Sequence, residues 1–267
     1  MKKLALVLLA LANVPQALSQ TFQPNDWMVD GVVLDMVAHP NQNKIFICGD
    51  FNYVGPVMAQ QNAVALDAIT GAVNTASPVV IGVVDIAIPD GAGGWYIGGQ
   101  FTQVGGLSRN SLARINASGT VLPFNPNPTS FGSEGSVSAL ALSGDTLFVG
   151  GDFDAIGGQS RNYLAAVSVT TGNAFSWDAL VNDAVGEIVV SPTRVFIAGN
   201  FTDVGGQTIS TIAELVRTTA LPDLAFPTVT GGVNALALSG DTLFVGGTFT
   251  MVGASARLVS AIWNSYS

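Results

Sequence analysis

The chain is predicted to be all-β: a five-bladed β-propeller of four-stranded blades, on three observations. A hydrophobic phrase ending in two small residues, a variable residue and Phe occurs five times; the Phe residues fall 50, 52, 48 and 48 positions apart; and no helix of ordinary length interrupts the pattern. A period near fifty carried by β-type residues is the mark of a propeller or a repeat array. The copies are Ile45 to Phe51, Trp95 to Phe101, Leu147 to Phe153, Val195 to Phe201 and Leu243 to Phe249. Three residues after each Phe stands Val or Ile followed by Gly, as in Val104-Gly105 and Ile156-Gly157.

Taken from the start, Lys2 and Lys3 precede an apolar run from Leu4 to Val14, and Ala17-Leu18-Ser19 places small residues three and one before a cut. Residues 1–19 therefore have the pattern of a secretory signal peptide, too short to span a bilayer. Cleavage would leave 248 residues beginning at Gln20, with seven cations against eighteen anions and a net charge of −11. The cations do not cluster, which argues against nucleic acid or an anionic membrane as partner, and no stretch after the leader approaches eighteen unbroken apolar residues, so no membrane insertion is expected. A chain of this length buries roughly 70–75% of its unfolded surface, so it needs no covalent staple. The single Cys48 has no internal disulfide partner and stands where other copies carry Gly98, Gly150, Ala198 and Gly246, which marks a small buried residue. One His, His39 in a turn before Pro40, and one Cys leave no ligands for a His/Cys zinc site and no basis for a Ser-His-Asp triad. No cofactor and no metal are expected.

Each repeat resolves into four strands. In the third, Val137 to Leu142 is strand A, Ser143-Gly144-Asp145 turns the hairpin, and Thr146 to Gly150 is strand B. Asn162 to Thr170 is strand C, Thr171-Gly172-Asn173 turns again, and Ala174 to Ala179 is strand D. The fifth repeat copies the third word for word, Ala235 to Gly247 restating Ala139 to Gly151. The predicted blades span residues 31–81, 82–132, 133–182, 183–230 and 231–267. The last lacks its strand D, and Thr21-Phe22-Gln23-Pro24-Asn25 resembles the strand D segment Pro123-Phe124-Asn125-Pro126-Asn127. Residues 21–30 are expected to complete the fifth blade and close the ring, removing an unpaired edge and making the protein a monomer. The rival is an open or larger ring made by two chains.

The stretch Tyr96 to Asn127, with GGQFTQVGG followed by Leu112-Ala113-Arg114-Ile115-Asn116 and Phe124-Asn125-Pro126, resembles the delta-sixty-type β-propeller repeat family. The resemblance extends over the five copies and implies a secreted or surface protein with no shared catalytic activity. The family's Asp-Gly turn between strands A and B survives as Asp90-Gly91 alone.

The phrase itself has a packing rationale. Gly at a strand end permits positive φ and close approach between blades, and Phe, with no polar atom, belongs between two sheets. The residues before Phe (Asp50, Gln100, Asp152, Asn200 and Thr248) suit a loop-capping hydrogen bond, and Arg109, Arg161 and Arg257, eight residues after their Phe, suit ion pairs with Asp neighbours. A functional constellation should instead break the repeat. Asp35 and Asp85 lie sixteen residues before their Phe, and Ala139, Glu187 and Ala235 lie fourteen before theirs, the difference being assigned to longer hairpins at His39 to Lys44 and Pro89 to Gly94. An even insertion keeps pleat parity, so the five positions are expected to be equivalent and to line the channel. Asp35, Asp85 and Glu187 are therefore the candidate ligand or cation site at the channel mouth, with no catalytic residue assigned. The trio is similar to the arrangement of five-bladed glycoside hydrolases of the arabinanase type, in which two carboxylates flank a sugar. Against an enzyme stands the absence of long inserted loops, so the expected role is a binding or structural module for an unknown protein or glycan partner. Trp27, Trp177 and Trp263 offer aromatic surface if exposed.

Overall fold

A computed structural model describes residues 29–55, 58–59, 61–253, 255–256 and 260–264. Among these there is no helix, and so none long and apolar enough to cross a membrane. Of the eight sheets among the described residues, five larger antiparallel ones follow one another along the chain, each built on three strands in the order first, second, third, and the others are small loop sheets of two to four short strands. Sheet 1 is Val32–Ala38, Lys44–Asp50 and Ala63–Asp67. Sheet 2 is Val80–Pro89, Trp95–Val104 and Leu112–Ile115. Sheet 3 is Ser136–Ser143, Thr146–Asp152 and Leu164–Ser168. Sheet 4 is Val185–Val190, Arg194–Gly199 and Ile212–Val216, and sheet 5 is Val233–Ser239, Thr242–Gly247 and Ser260–Asn264. The first strand of each sheet lies beside the first strand of the next, from sheet 1 through to sheet 5. This succession of sheets, each laid beside the next through its first strand, is of propeller type.

The fourth strand is much shorter than expected. It is reduced to isolated bridges, Leu66 to Val73, Ile115 to Val121, Val167 to Ala174 and Leu215 to Pro222. In sheet 3 the chain donates from Ser168 N to Asn173 O and from Phe175 N to Ala166 O, and then leaves the ladder. The next free carbonyl, Phe175 O, accepts from the Arg161 guanidinium at 2.8 Å, and Arg109 takes Leu122 O at 2.9 Å in sheet 2, where Pro123 follows with no N–H to offer. These arginines thus serve backbone carbonyls before carboxylates: Arg161 adds a long contact of 3.7 Å to Asp178, and Arg257 lies outside the described residues.

The glycine pair is explained by register. In all five sheets the second small residue pairs with the residue just before a one-residue bulge in the first strand: Val33 with Gly49, Val84 with Gly99, Val137 with Gly151, Val185 with Gly199 and Val233 with Gly247. A bulge brings the partner backbone in close. A Cβ on Gly151 would overlap the Ser136 carbonyl oxygen, and one on Gly49, Gly99, Gly199 or Gly247 would strike the corresponding carbonyl of its own sheet. None of these five glycines has positive φ, so what they supply is space and not the conformational freedom that their position in the sequence suggests. The first residue of the pair faces the next sheet instead. A Cβ on Gly150 would sit 2.8 Å from Val185 Cγ1, and one on Gly98 would sit 2.6 Å from Val137 Cγ1. Cys48 occupies this position in sheet 1 and is fully buried with Phe46, Trp95 and Ile97 in the seam between sheets 1 and 2.

Each Phe of the phrase is at most 2% exposed. Phe101 packs with Phe46 and Trp95 between sheets 1 and 2, Phe153 with Tyr96 and Leu112 between sheets 2 and 3, Phe201 with Phe148 between sheets 3 and 4, and Phe249 with Phe196 between sheets 4 and 5. Phe51 packs within residues 29–73 on the upstream face of sheet 1. The five variable residues before Phe are all exposed, and loop caps come from other side chains. Asp30 Oδ1 accepts from Asn52 N and Tyr53 N at 2.7 and 2.9 Å, which holds its carboxyl below the usual aspartate range, and Asn182 Oδ1 makes the matching pair with Thr202 N and Asp203 N. Of the expected closing segment, residues 21–28 lie outside the described residues. Val29 bridges Val54 in the way that Val181 bridges Val204.

Candidate functional site

Asp35 and Glu187 occupy one register position. Asp35 pairs with Cys48 and Glu187 with Ala198, and the residues at the same place in the other sheets are Ile86, Ala139 and Ala235. Asp85 is one residue out of step: it is the bulged residue between Val84 and Ile86. The reason is the hairpin. Sheet 3 closes Ser143 on Thr146, sheet 1 closes Ala38 on Ile45 with a two-residue insertion relative to it, and sheet 2 closes Pro89 on Trp95, an insertion of one. An odd insertion shifts the pleat by one, so the inferred equivalence of five positions does not hold in sheet 2. Asp90 supports this odd turn. It is 8% exposed, accepts from Ala92 N and Gly94 N at 2.8 and 2.7 Å, and pairs with Arg114 at 2.9 Å. Arg114 also lies over the Tyr96 ring, 5.2 Å from its centroid, so the turn is fastened to the face of its own sheet.

All three candidate carboxylates are half-buried, and none is without a partner. Asp35 serves the structure. One of its oxygens accepts from Met36 N at 2.8 Å and the other from Ala87 N at 3.1 Å, which ties the first strand of sheet 1 to that of sheet 2. Among the described residues no three His, Cys, Asp or Glu side chains gather closely enough to hold a metal ion. His39 is buried at the end of sheet 1, where its Nδ1 accepts from Asn41 N and its ring meets Trp95 edge to face. Trp177 packs against Phe148 at 5.2 Å between centroids and belongs to the core; Trp27 and the Trp263 side chain lie outside the described residues.

A second cluster stands apart from the repeated phrase. A cavity of about 270 Å³ opens at the hairpin end between sheets 4 and 5, lined by Arg194, Glu214 and Asp223, by Asp241 on the fifth hairpin, and by Phe226 and Leu238. Glu214 is 6% exposed; its Oε1 receives Arg194 Nε at 2.6 Å, while the other end of the guanidinium reaches Asp223 at 3.8 Å. Burial pushes the Glu214 carboxyl above the usual glutamate range, and the Arg194 contact opposes that rise. Glu214 pairs with Phe196 across the sheet, at the place Ala166 holds opposite Phe148. A sign of it was available: a charged residue within the apolar run Ile212-Ala213-Glu214-Leu215-Val216 needs a buried partner.

Comparison with known proteins bears on the fold. A family model described as a domain of unknown function (DUF5122) beta-propeller matches residues 93–121, which hold the second and third strands of sheet 2 and run on to the Val121 bridge. The crystal structure of the computationally designed Ika8 protein is similar over 87% of this chain and 83% of its own, at 11% identity and a TM-score of 0.53. BamB from Moraxella catarrhalis aligns over 90% of both chains at 10% identity, with a TM-score of 0.38 that is too low to bear on the fold. No curated protein sequence matches this chain. With its five sheets in succession, the chain is an all-β protein of propeller type, and its second repeat carries the sequence of a β-propeller repeat.

Proposed function

We propose that this chain is a secreted or surface-associated, delta-sixty-type propeller that acts as a binding or structural interaction module. The observation that carries the reading is the use of the repeated phrase: Phe101, Phe153, Phe201 and Phe249 are consumed in the seams between sheets, and the glycines before them in close backbone approach at the bulges and in the seams. Such a scaffold presents two broad rigid ends, and the first-to-second-strand connections are short turns with no elaborated loop to build a substrate cleft. Secretion rests on the lysine-led apolar leader. Asp35, Asp85 and Glu187 remain the proposed ligand site at the channel mouth, and the half-buried Asp35 and Glu187 share a register. The partner is a protein or a glycan. A glycan array and a protein-partner screen with the full chain test this reading; binding on neither would leave a purely structural role. A chromogenic glycoside panel with wild type and Glu187→Gln tests the alternative, a carbohydrate-active enzyme. Hydrolysis lost in the variant would establish it, and no hydrolysis is expected.

The five sheets are further proposed to be the blades of one ring in a monomeric domain, residues 20–267, closed by residues 21–30. Two observations support closure: Ile47 and Val64, on the upstream face of sheet 1, are 7% and 0% exposed, and Val29 takes the bridging place that Val80, Val181 and Val229 take in later repeats. Deleting residues 21–28 from the mature protein should lower Tm by about 6–12 °C, since losing several buried contacts costs about 3 kcal/mol and each kcal/mol moves Tm about 2–4 °C at this chain length. An unchanged melt, or a dimeric mass in solution, would overturn closure within one chain.

A further inference from the structure

We propose that a cavity at the hairpin end of sheet 1 receives a neutral hexose ring, the terminal residue of a glycan. The inference rests on the reading of the chain as a binding module and says which of its two partner classes one place on it suits. The cavity, of about 320 Å³, lies between the hairpin of sheet 1 and the turn after its third strand, and has room for one sugar ring. Its polar lining is side-chain amide: Gln42 and Asn43 from the hairpin and Asn74 from the far side of the turn. Asn74 is fixed by its N–H on Ala65 O at 2.8 Å and by its Oδ1, which accepts from Ala76 N at 3.1 Å, so that Nδ2 is left to donate. The Gln42 and Asn43 amides engage no protein atom among the described residues. Gln42 is nonetheless placed, since its amide lies against Gly93 on the hairpin of sheet 2, where a Cβ would strike the nitrogen.

Charge does not select the ligand. The lining holds one cation and one anion, Lys44 and Asp67, which are cross-strand neighbours. Lys44 Nζ donates to Ala117 O of sheet 2 at 3.2 Å, and Asp67 Oδ1 accepts from Ile69 N, Thr70 N and the Thr70 hydroxyl at 3.0, 2.7 and 2.8 Å. The place is also a break in the repeat. Phe46 pairs with Ala65 as Phe196 pairs with Glu214, and Asn74 N donates to Ala65 O as Asp223 N donates to Glu214 O. Sheet 4 therefore carries two carboxylates, tied together by Arg194, where sheet 1 carries Ala and Asn. With no buried carboxylate to satisfy, sheet 1 keeps its amides for a ligand. A side-chain amide offers a donor and an acceptor side by side, which matches two neighbouring hydroxyls of a sugar. Leu66, Ala72 and Val73 complete the lining with an apolar wall for the C–H face of the ring.

The test is a titration of the full-length mature protein with the methyl glycosides of β-glucose, β-galactose and α-mannose, followed through backbone and side-chain amide resonances. At least one glycoside is expected to shift the side-chain amides of Gln42, Asn43 and Asn74. Asn43→Ala and Gln42→Ala should each weaken that glycoside about threefold to tenfold, the effect of one neutral hydrogen bond. Melting of Asn43→Ala should change little, because Asn43 is exposed and its side chain bonds nothing in the fold. Glycerol is the comparison: the same shifts at the same concentration would mean that any polyol fills the cavity and would overturn the sugar assignment. No shift with any of the three glycosides, or binding that both variants leave unchanged, would overturn the site. A protein partner, or a glycan bound elsewhere on the molecule with these amides unmoved, would overturn it too while leaving the module reading standing.

Discussion

Gly151→Ala is expected to destabilise the protein by at least about 3 kcal/mol, the severe end of what a single added methyl does in a packed interior. The new Cβ would overlap the Ser136 carbonyl oxygen, which cannot yield as a side-chain tip can. Relieving the overlap requires the first strand of sheet 3 to move off the second, which breaks the pairing of Ser136 with Asp152 and Val137 with Gly151. Gly144→Ala is the control. Gly144 lies at φ +58° with nothing within 4 Å of its Cβ position, so its cost is conformational alone, about 1 kcal/mol. Denaturant unfolding of the two variants reads the difference directly. If Gly151→Ala unfolds within about 1 kcal/mol of wild type, the close approach at the bulge is not what selects glycine.

The second large effect belongs to the Phe of the phrase. Phe153→Ala should cost about 3–5 kcal/mol, because the ring is 1% exposed and fills a seam shared by Tyr96, Leu112 and Phe124 of one sheet and Val137, Leu147 and Val149 of the next. Phe153→Leu, which keeps most of the volume, should cost under about 1.5 kcal/mol. Phe131→Ala serves as reference: Phe131 is 92% exposed at a turn tip, so its loss should fall within about 0.5 kcal/mol of zero. Equal effects at Phe153 and Phe131 would mean that sheets do not cohere through the repeated Phe.

The same physics separates a legible residue from an illegible one. Phe153 was readable because an apolar ring recurring at one offset has only one kind of place to go. Asp85 was not. Its distance from Phe101 equals that of Asp35 from Phe51, yet one hairpin inserts a single residue and the other two, and that difference moves Asp85 onto the bulge while Asp35 pairs with Cys48. Arg161 was half legible: its recurrence marked it as structural, but the partner it chiefly serves, the Phe175 carbonyl, appears only when the fourth strand leaves the ladder.

From its sequence alone this protein determined the all-β class, five repeated sheets, the buried Phe at each and the small residue forced on Cys48. These follow because period, hydrophobicity and side-chain size are properties of the chain itself. Only the tertiary structure decided that the glycines are selected for space against a bulge, that Asp35 ties sheet 1 to sheet 2, and that Arg194, Glu214, Asp223 and Asp241 meet around one cavity. Register and seam contacts depend on hairpin parity and on which residues of two different sheets face each other, and neither is written at any fixed spacing along the chain.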